Sequence, residues 1–256
     1  GLGDVYKRQI QYGGKRFTDN FGEFIEKYGV HYMTDMYAAG FYPYPSEEAK
    51  WGYWSKHALM NRFDPPALPL YTKLYDIVKS KEYFVLTTNV DHQFYKAGFD
   101  EKRIFATQGD YGKIQCQKAC HSKTYDAKEL FRKMDEARKD CLIPSELVPK
   151  CPVCGGNMAM NLRCDNYFVE DEAWHEAADR YACFLEQNKD KKVVLLELGV
   201  GFNTPIIIRF PFEKMVRENP SYSLIRLNMD EAVVPESFGE RAIAVSYTHL
   251  RAHETS

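Results

Sequence analysis

The sequence predicts an α/β protein, a parallel sheet flanked by helices and interrupted by a small zinc-binding insert. Three observations carry this. Short apolar, β-prone runs at Tyr83 to Leu86, Arg103 to Thr107, Val193 to Leu198 and Ser223 to Leu227 each end in polar or glycine residues. Helical patterns separate several of these runs, as in βαβ units. Two close cysteine pairs fall between the second and third runs. Ligands of open α/β sheets sit at the carboxyl ends of the strands. The candidate site residues are therefore Thr88, Asn89 and Asp91 after the first run, and Gln108, Gly109 and Asp110 after the second. Gly199 to Pro205 and Asn228 follow the third and fourth runs. A plainer reading stands beside this one: Asn89 and Asp91 cap the next helix, and Gly109 turns the chain.

Composition sets the bounds. With 256 residues, 45% apolar and 14% aromatic, the chain can bury a large core in one or two domains. A net charge of -2, from 34 basic and 36 acidic residues that are well mixed, leaves no electrostatic footprint for nucleic acid or an anionic membrane. No apolar run approaches the length of a membrane span. Seven cysteines is an odd number, and no secretory segment precedes them. The expectation is a reducing, cytoplasmic setting with metal-bound thiolates. The two ends, Gly1 to Gln9 and about Val245 to Ser256, resemble translated sequencing-adapter read-through, so they are set aside, with His249 and His253.

In chain order, Thr18 or Asp19 is the expected cap of a helix with Phe21, Phe24, Ile25 and Tyr28 on one face. Ser46 with Glu47 and Glu48 predicts a second helix presenting Trp51, Trp54, Ala58 and Leu59, ended by Pro65 and Pro66. Leu70, Leu74, Ile77 and Val78 mark a third, and all three stripes are expected in the core. Asp171 to Gln187 predicts a helix with Trp174, Ala178, Tyr181 and Leu185 on one face. Val193 to Leu198 reads as a parallel strand covered on both sides. The loop after it carries Gly199, Gly201, Asn203 and Thr204, with Pro205 at a plausible first helical position. Backbone N–H groups at such a helix start suit a phosphate or ribose, although an ordinary βα turn has the same composition.

From Tyr111 to Asn166 the chain is lysine-rich and irregular in pattern. Cys116 and Cys120 form C-x3-C, and Cys151 and Cys154 form C-x2-C followed by two glycines. Two such knuckles supply four sulfurs for a tetrahedral structural zinc, which would staple a small insert lacking a core of its own. Cys141, Cys164 and Cys183 are expected to be inert packing residues, and His121 a bystander.

These motifs resemble the sirtuins over about Ile10 to Ala244. Thr88-Asn89-Val90-Asp91 is similar to the family's Gln-Asn-Ile-Asp segment, and the cysteine pairs to its zinc ribbon. Gly199 to Pro205 is similar to its Gly-Thr-Ser loop, and Asn228 to the asparagine before its adenine-side acid. RFTDNFGEF, TTNVDHQFYKAGFD, TQGDYG and LGVGFNTPIIIRFPFE resemble the macrodomain-linked class M branch. The resemblance implies a Rossmann-like, DHS-like NAD-binding fold made of residues 10–112 and 166–244, with a zinc insert at 113–165. It also implies that the family's first strand and Gly-Ala-Gly phosphate loop belong before Ile10.

One departure bears on the chemistry. Deacylating sirtuins carry a histidine before glycine at the end of the second strand, and this chain has Gln108. An amide donates and accepts hydrogen bonds but cannot take up a proton near neutral pH. Loss of nicotinamide followed by capture of the ribose depends on orientation and electrostatics more than on a titrating base. The expectation is therefore ADP-ribosyl transfer. By resemblance, Asp91 holds the nicotinamide amide, Asn89 positions the ribose or its attacking group, and Gln108 binds the ribose hydroxyls. Thr88, Gly199, Gly201, Asn203 and Thr204 line the cofactor path, and Asn228 lies near the adenosine. The branch implies a lipoylated glycine-cleavage-H-like acceptor and a macrodomain hydrolase partner. A protein-lysine deacylase and a non-catalytic NAD-binding scaffold are the alternatives.

Overall fold

The computed structural model of the chain describes residues 14–31, 33–201, 205–229 and 231–246. Helix α1 (Gly14–Tyr28) buries Phe17, Phe21 and Phe24 about one turn apart. It starts a turn before the expected caps, and Thr18 instead donates its hydroxyl to the Lys15 carbonyl within the helix. Asp35 caps α2 (Met36–Gly40), accepting from the Tyr37 and Ala38 amides. Ser46 caps α3 (Glu47–Ala58) as expected, and Glu47 and Glu48 complement the helix dipole in its first turn. Trp51, Tyr53, Trp54 and Ala58 are all buried, so α3 is enclosed on nearly every side. A Cβ at Gly52 would lie 2.2 Å from the Cys141 carbonyl oxygen, which makes glycine obligatory at that crossing. A π-helical turn at Leu59–Phe63 leads to the two prolines. Helix α4 (Pro69–Val78) buries Tyr71 rather than the expected aliphatic stripe, and Ile77 stands 62% exposed.

Strands β1 (Val85–Thr87) and β2 (Ile104–Ala106) pair in parallel, Val85 opposite Ile104 and Thr87 opposite Ala106. The short helix α5 (Gln93–Lys96) lies between them in sequence. The ladder begins two residues into the first apolar run and ends one residue beyond it at Thr87, while β2 stops one residue short of its run at Ala106. Strands β3 (Gly109–Cys116), β4 (Thr124–Asp126) and β5 (Met158–Leu162) form an antiparallel sheet in the order β4-β3-β5. The lysine-rich stretch is more regular than its composition indicates. Helix α6 (Lys128–Ala137) hides Phe131 and Met134, three residues apart, and its Phe131 ring lies 6.1 Å from that of Trp51. The helical layer and the cysteine-bearing sheet thereby share one apolar core.

Helix α7 (Glu172–Asn188) is capped by Asp171, which accepts from the Trp174 amide, and its Tyr181 ring packs against Phe84 and Phe105. Strand β6 (Val193–Leu198), helix α8 (Arg209–Glu218), and strands β7 (Tyr222–Asn228) and β8 (Ala242–Ser246) complete the description. β6, β7 and β8 are parallel and adjacent in that order. The parallel strands thus occur as two sheets among the described residues. The double coverage expected for β6 is not found. Leu195 is buried, but Val194 and Leu196 are 61% and 37% exposed, as is Ile243 of β8 at 55%. The helix after the glycine loop begins at Arg209, later than the expected Pro205, because residues 205–208 form turns first.

Candidate functional site

At the end of β1 the backbone folds back through side chains. The Asn89 amide donates to Thr87 Oγ1 at 3.0 Å, and Asn89 Nδ2 donates to the Tyr71 hydroxyl at 3.1 Å. Thr88 lies between them. Asp91 is buried, and its carboxylate accepts from the Gln93 amide at 3.2 Å, the capping role of the plainer reading. Burial pushes the Asp91 carboxyl above its usual range, against the backbone N–H that lowers it. Gln93 is itself enclosed and ties the site to the preceding loop: its Oε1 accepts from the Leu68 amide and its Nε2 donates to the Pro66 carbonyl.

β2 delivers Gln108 beside this turn, because the Thr107 amide donates to the Thr87 carbonyl at 3.0 Å. The Gln108 side chain donates from Nε2 to Thr107 Oγ1 at 3.3 Å, and the Gln108 backbone carbonyl accepts from the Arg163 amide at 3.0 Å. Gly109 has φ of 99°, and a Cβ there would lie 1.9 Å from the Asn161 carbonyl oxygen. It permits close contact between β3 and β5 rather than merely turning the chain. Asp110 receives Arg62 Nε at 2.8 Å, the Gly112 amide at 2.6 Å and His92 Nδ1 at 3.2 Å. Burial raises the Asp110 carboxyl, but hydrogen bonds from His92 and Arg62 outweigh it and hold the group well below the usual carboxylate range. His92 adopts a left-handed backbone with φ of 65° and stacks on Tyr95 at 3.9 Å. Asn89, His92, Asp110, Lys113, Trp174 and Arg180 all line one cavity of about 290 Å³. His92 and Arg62 were not singled out from sequence. The only hint was a histidine directly after the Asn-Val-Asp turn.

The second group lies at the ends of β6 and β7. Gly199 has φ of 66°, and its amide donates to the Leu227 carbonyl at 2.8 Å. Asn228 is buried. Its Nδ2 donates to the Val200 carbonyl at 2.9 Å, and its Oδ1 accepts from the Glu231 amide at 3.1 Å. Gly201 faces Glu231, whose Oε2 would lie 3.3 Å from an added Cβ. Asn203 and Thr204 lie outside the described residues.

The sulfurs of Cys116, Cys120, Cys151 and Cys154 lie within 4.8 Å of one another. Two of the separations are 3.7 and 3.6 Å. A tetrahedral zinc with bonds of about 2.3 Å spaces its sulfurs ~3.8 Å apart, so this set could hold the ion. Backbone amides of Cys120 and Lys118 aimed at the Cys116 sulfur hold its thiol down to about 6, and those of Cys154 and Val153 lower Cys151. His121 stays outside the cluster, with Nε2 3.5 Å from the Cys151 sulfur and 3.3 Å from the Tyr125 hydroxyl. Of the remaining cysteines, Cys141 is buried as expected, but Cys164 and Cys183 are exposed and do not pack in the core.

The chain is 40% identical over 244 residues to a protein ADP-ribosyltransferase of Staphylococcus aureus strain Mu50, a match over 95% of this chain and 76% of that protein. It is 31% identical over 215 residues to a probable bifunctional ADP-ribose hydrolase/ADP-ribosyltransferase of Fusarium oxysporum f. sp. cubense, over 79% of this chain and 36% of that protein. Among solved structures, a Sir2 homologue in complex with ADP-ribose aligns at a TM-score of 0.49 and 15% identity, over 100% of this chain and 92% of that one. A Sir2 homologue with NAD aligns at 0.44 and 15%, over 80% and 73%. No protein-family model matches the chain.

Proposed function

The chain belongs to the family of protein ADP-ribosyltransferases, and from that premise we propose that it cleaves NAD at the nicotinamide–ribose bond and transfers ADP-ribose to a protein acceptor. The observation that carries the reading is Gln108 at the end of β2, hydrogen-bonded beside the Thr87–Asp91 turn where a deacylating site would carry a histidine. Its amide can orient ribose hydroxyls, but it takes up no proton near neutral pH. In this reading Asp91 accepts from the nicotinamide amide, Asn89 positions the ribose or the incoming group, Gln108 binds the ribose hydroxyls, and Thr88 lines the cofactor path. Gly199, Gly201, Asn203 and Thr204 form the phosphate and ribose path, with Asn228 on the adenosine side. NAD supplies the leaving group, and the chain supplies orientation, donors and the exclusion of water.

The same reading assigns residues 10–112 and 166–244 to NAD binding and 113–165 to a zinc-stapled insert in which the four cysteines hold a structural ion. The acceptor is a lipoylated glycine-cleavage-H-like carrier, and a macrodomain hydrolase removes the mark. The fungal relative supports that pairing only in that its name joins the two activities. Among the described residues no helix is long and apolar enough to cross a membrane, and the proposed location is the cytoplasm.

Intact-mass spectrometry of the carrier, and separately of an acetyl-lysine peptide, each with enzyme and NAD, tests the reading. The expected result is an ADP-ribose-sized gain on the carrier with the peptide unchanged. Loss of the acetyl group without any gain on the carrier would make the protein a deacylase. NAD binding without nicotinamide release would make it a scaffold.

A further inference from the structure

Two arginines are enclosed where β6 and β7 end. Arg226 of β7 is 0% exposed and makes a two-pronged bond to Glu197, its register partner on β6, with Nε to Oε1 at 2.6 Å and Nη2 to Oε2 at 2.8 Å. Its Nη1 donates to Glu213 of α8 at 2.9 Å and to the Val233 carbonyl. Arg209, the first residue of α8 and 2% exposed, donates to the carbonyls of Val200 at 3.4 Å, Glu231 at 3.2 Å and Val233 at 3.3 Å. Its Nε lies 3.9 Å from Glu213. Val233 O is shared by both guanidiniums, and Val200 O by Arg209 and Asn228. One network therefore spans the loop after β6, the segment after β7 and the start of α8.

Stability alone is a poor reason for such an arrangement. Desolvating two arginines and two glutamates offsets most of their attraction, and apolar replacements of similar volume are commonly neutral or better. What the network supplies is a fixed distance. A guanidinium presents its donors in one rigid plane, so carbonyls bound by it keep their spacing, whereas an ammonium on a flexible stem imposes none.

We propose that Arg209 and Arg226 are positioning residues for the nucleotide: Arg209 clasps the 199–201 loop to the 231–233 segment through Val200, Glu231 and Val233, Arg226 fixes the second segment to β6 and α8 through Val233, and together they hold both at the separation an adenosine diphosphate moiety requires. The inference rests on the NAD reading above and names residues that act on it through backbone carbonyls, not by touching the ligand. Preorganisation of this kind appears as affinity, because loops that are already placed lose less freedom on binding.

The test compares the full chain with Arg209→Lys, which keeps the charge and removes the fork. Melting temperature should stay close to that of the parent. The NAD dissociation constant, by titration calorimetry, should rise on the order of tenfold. In nicotinamide release, KM for NAD should rise by more than kcat falls. Hydrogen exchange without NAD should quicken together at the Gly199, Glu231 and Val233 amides, with the Leu224 amide unchanged. A folded variant with parental NAD affinity, or with parental exchange at these amides, overturns the clasp. If the parent itself binds no NAD, the functional reading fails for this chain, and exchange alone then decides the clasp. If the variant does not fold, parental exchange decides: a common rate at the three loop amides supports the clasp, and independent rates overturn it.

Discussion

The two halves of the molecule are held together by different forces. The helical layer and the cysteine-bearing sheet share one apolar cluster containing Phe17, Phe21, Phe24, Trp51, Tyr53 and Phe131 together with Cys116 and Cys151. The β6–β8 half has a much smaller cluster around Leu195, Val216, Tyr222, Leu224 and Phe238. It leaves Val194, Leu196 and Ile243 exposed, and its most enclosed side chains include two arginines. Apolar packing tolerates small displacements, while forked ion pairs and hydrogen bonds to single carbonyls do not. The difference assigns bulk stability to the first half and the placement of loops to the second.

The largest expected effect breaks the first half alone. With zinc held by the four cysteines, as proposed, stripping it with a chelator, or Cys151→Ser, should remove a contribution that for structural zinc sites is about 10–16 kcal/mol in apparent binding free energy. Near-ultraviolet circular dichroism of the aromatic core should collapse, and elemental analysis should show the loss of one zinc per chain. Zinc-free protein with an intact near-ultraviolet spectrum would remove the ion from the account. Next, Trp51→Ala empties a fully buried site packed on Phe131 and should cost about 3–5 kcal/mol in urea unfolding.

The third prediction sharpens the contrast. Arg226→Met strands Glu197 in the interior and should destabilise by about 3 kcal/mol. The double change Glu197→Leu with Arg226→Met should be close to parental in stability while still weakening NAD binding. A double variant as unstable as the single one would make the network a structural staple. The smallest effect concerns His57, fully buried in the helical half and stacked on Trp54. Burial, reinforced by Arg16, pushes its pKa down to about 3. The native state therefore holds it neutral while the unfolded chain protonates it below its ordinary value of 6.5. Its contribution is intact above that pH and is lost as pH falls toward 3, at roughly 1.4 kcal/mol per unit. Urea midpoints measured from pH 7 to 5 should fall less steeply in His57→Phe.

The polar residues that follow the strands were legible because β1 and β2 end within one residue of the apolar runs. Asn89, Asp91 and Gln108 follow directly from that rule, and the cysteine spacing brought four sulfurs together across 38 residues of chain. What was missed has a common cause. His92 and Arg62 are the partners of the predicted Asp110, Arg62 from 48 residues away in sequence, and nothing in local pattern signals either pairing. Glu197 and Arg226 are register partners on β6 and β7, a pairing that the pattern of either strand alone does not show. Phe131 and Met134 were obscured by the lysines around them.

By itself, the sequence determined the α/β class, the runs that became β1, β2, β6 and β7, the helices α1, α3, α4 and α7, the cysteine spacing and the polar residues at the strand ends, because each depends on periodicity or on spacing within a few residues. Tertiary structure alone decided which faces are covered, that α6 completes the helical core, that Asp110 is shared by Arg62 and His92, and that buried Arg209 joins the loops after β6 and β7 while buried Arg226 ties the second of them to β6 and α8. Those outcomes depend on groups far apart in the chain, whose charge and burial acquire meaning only when folding brings them within hydrogen-bonding distance.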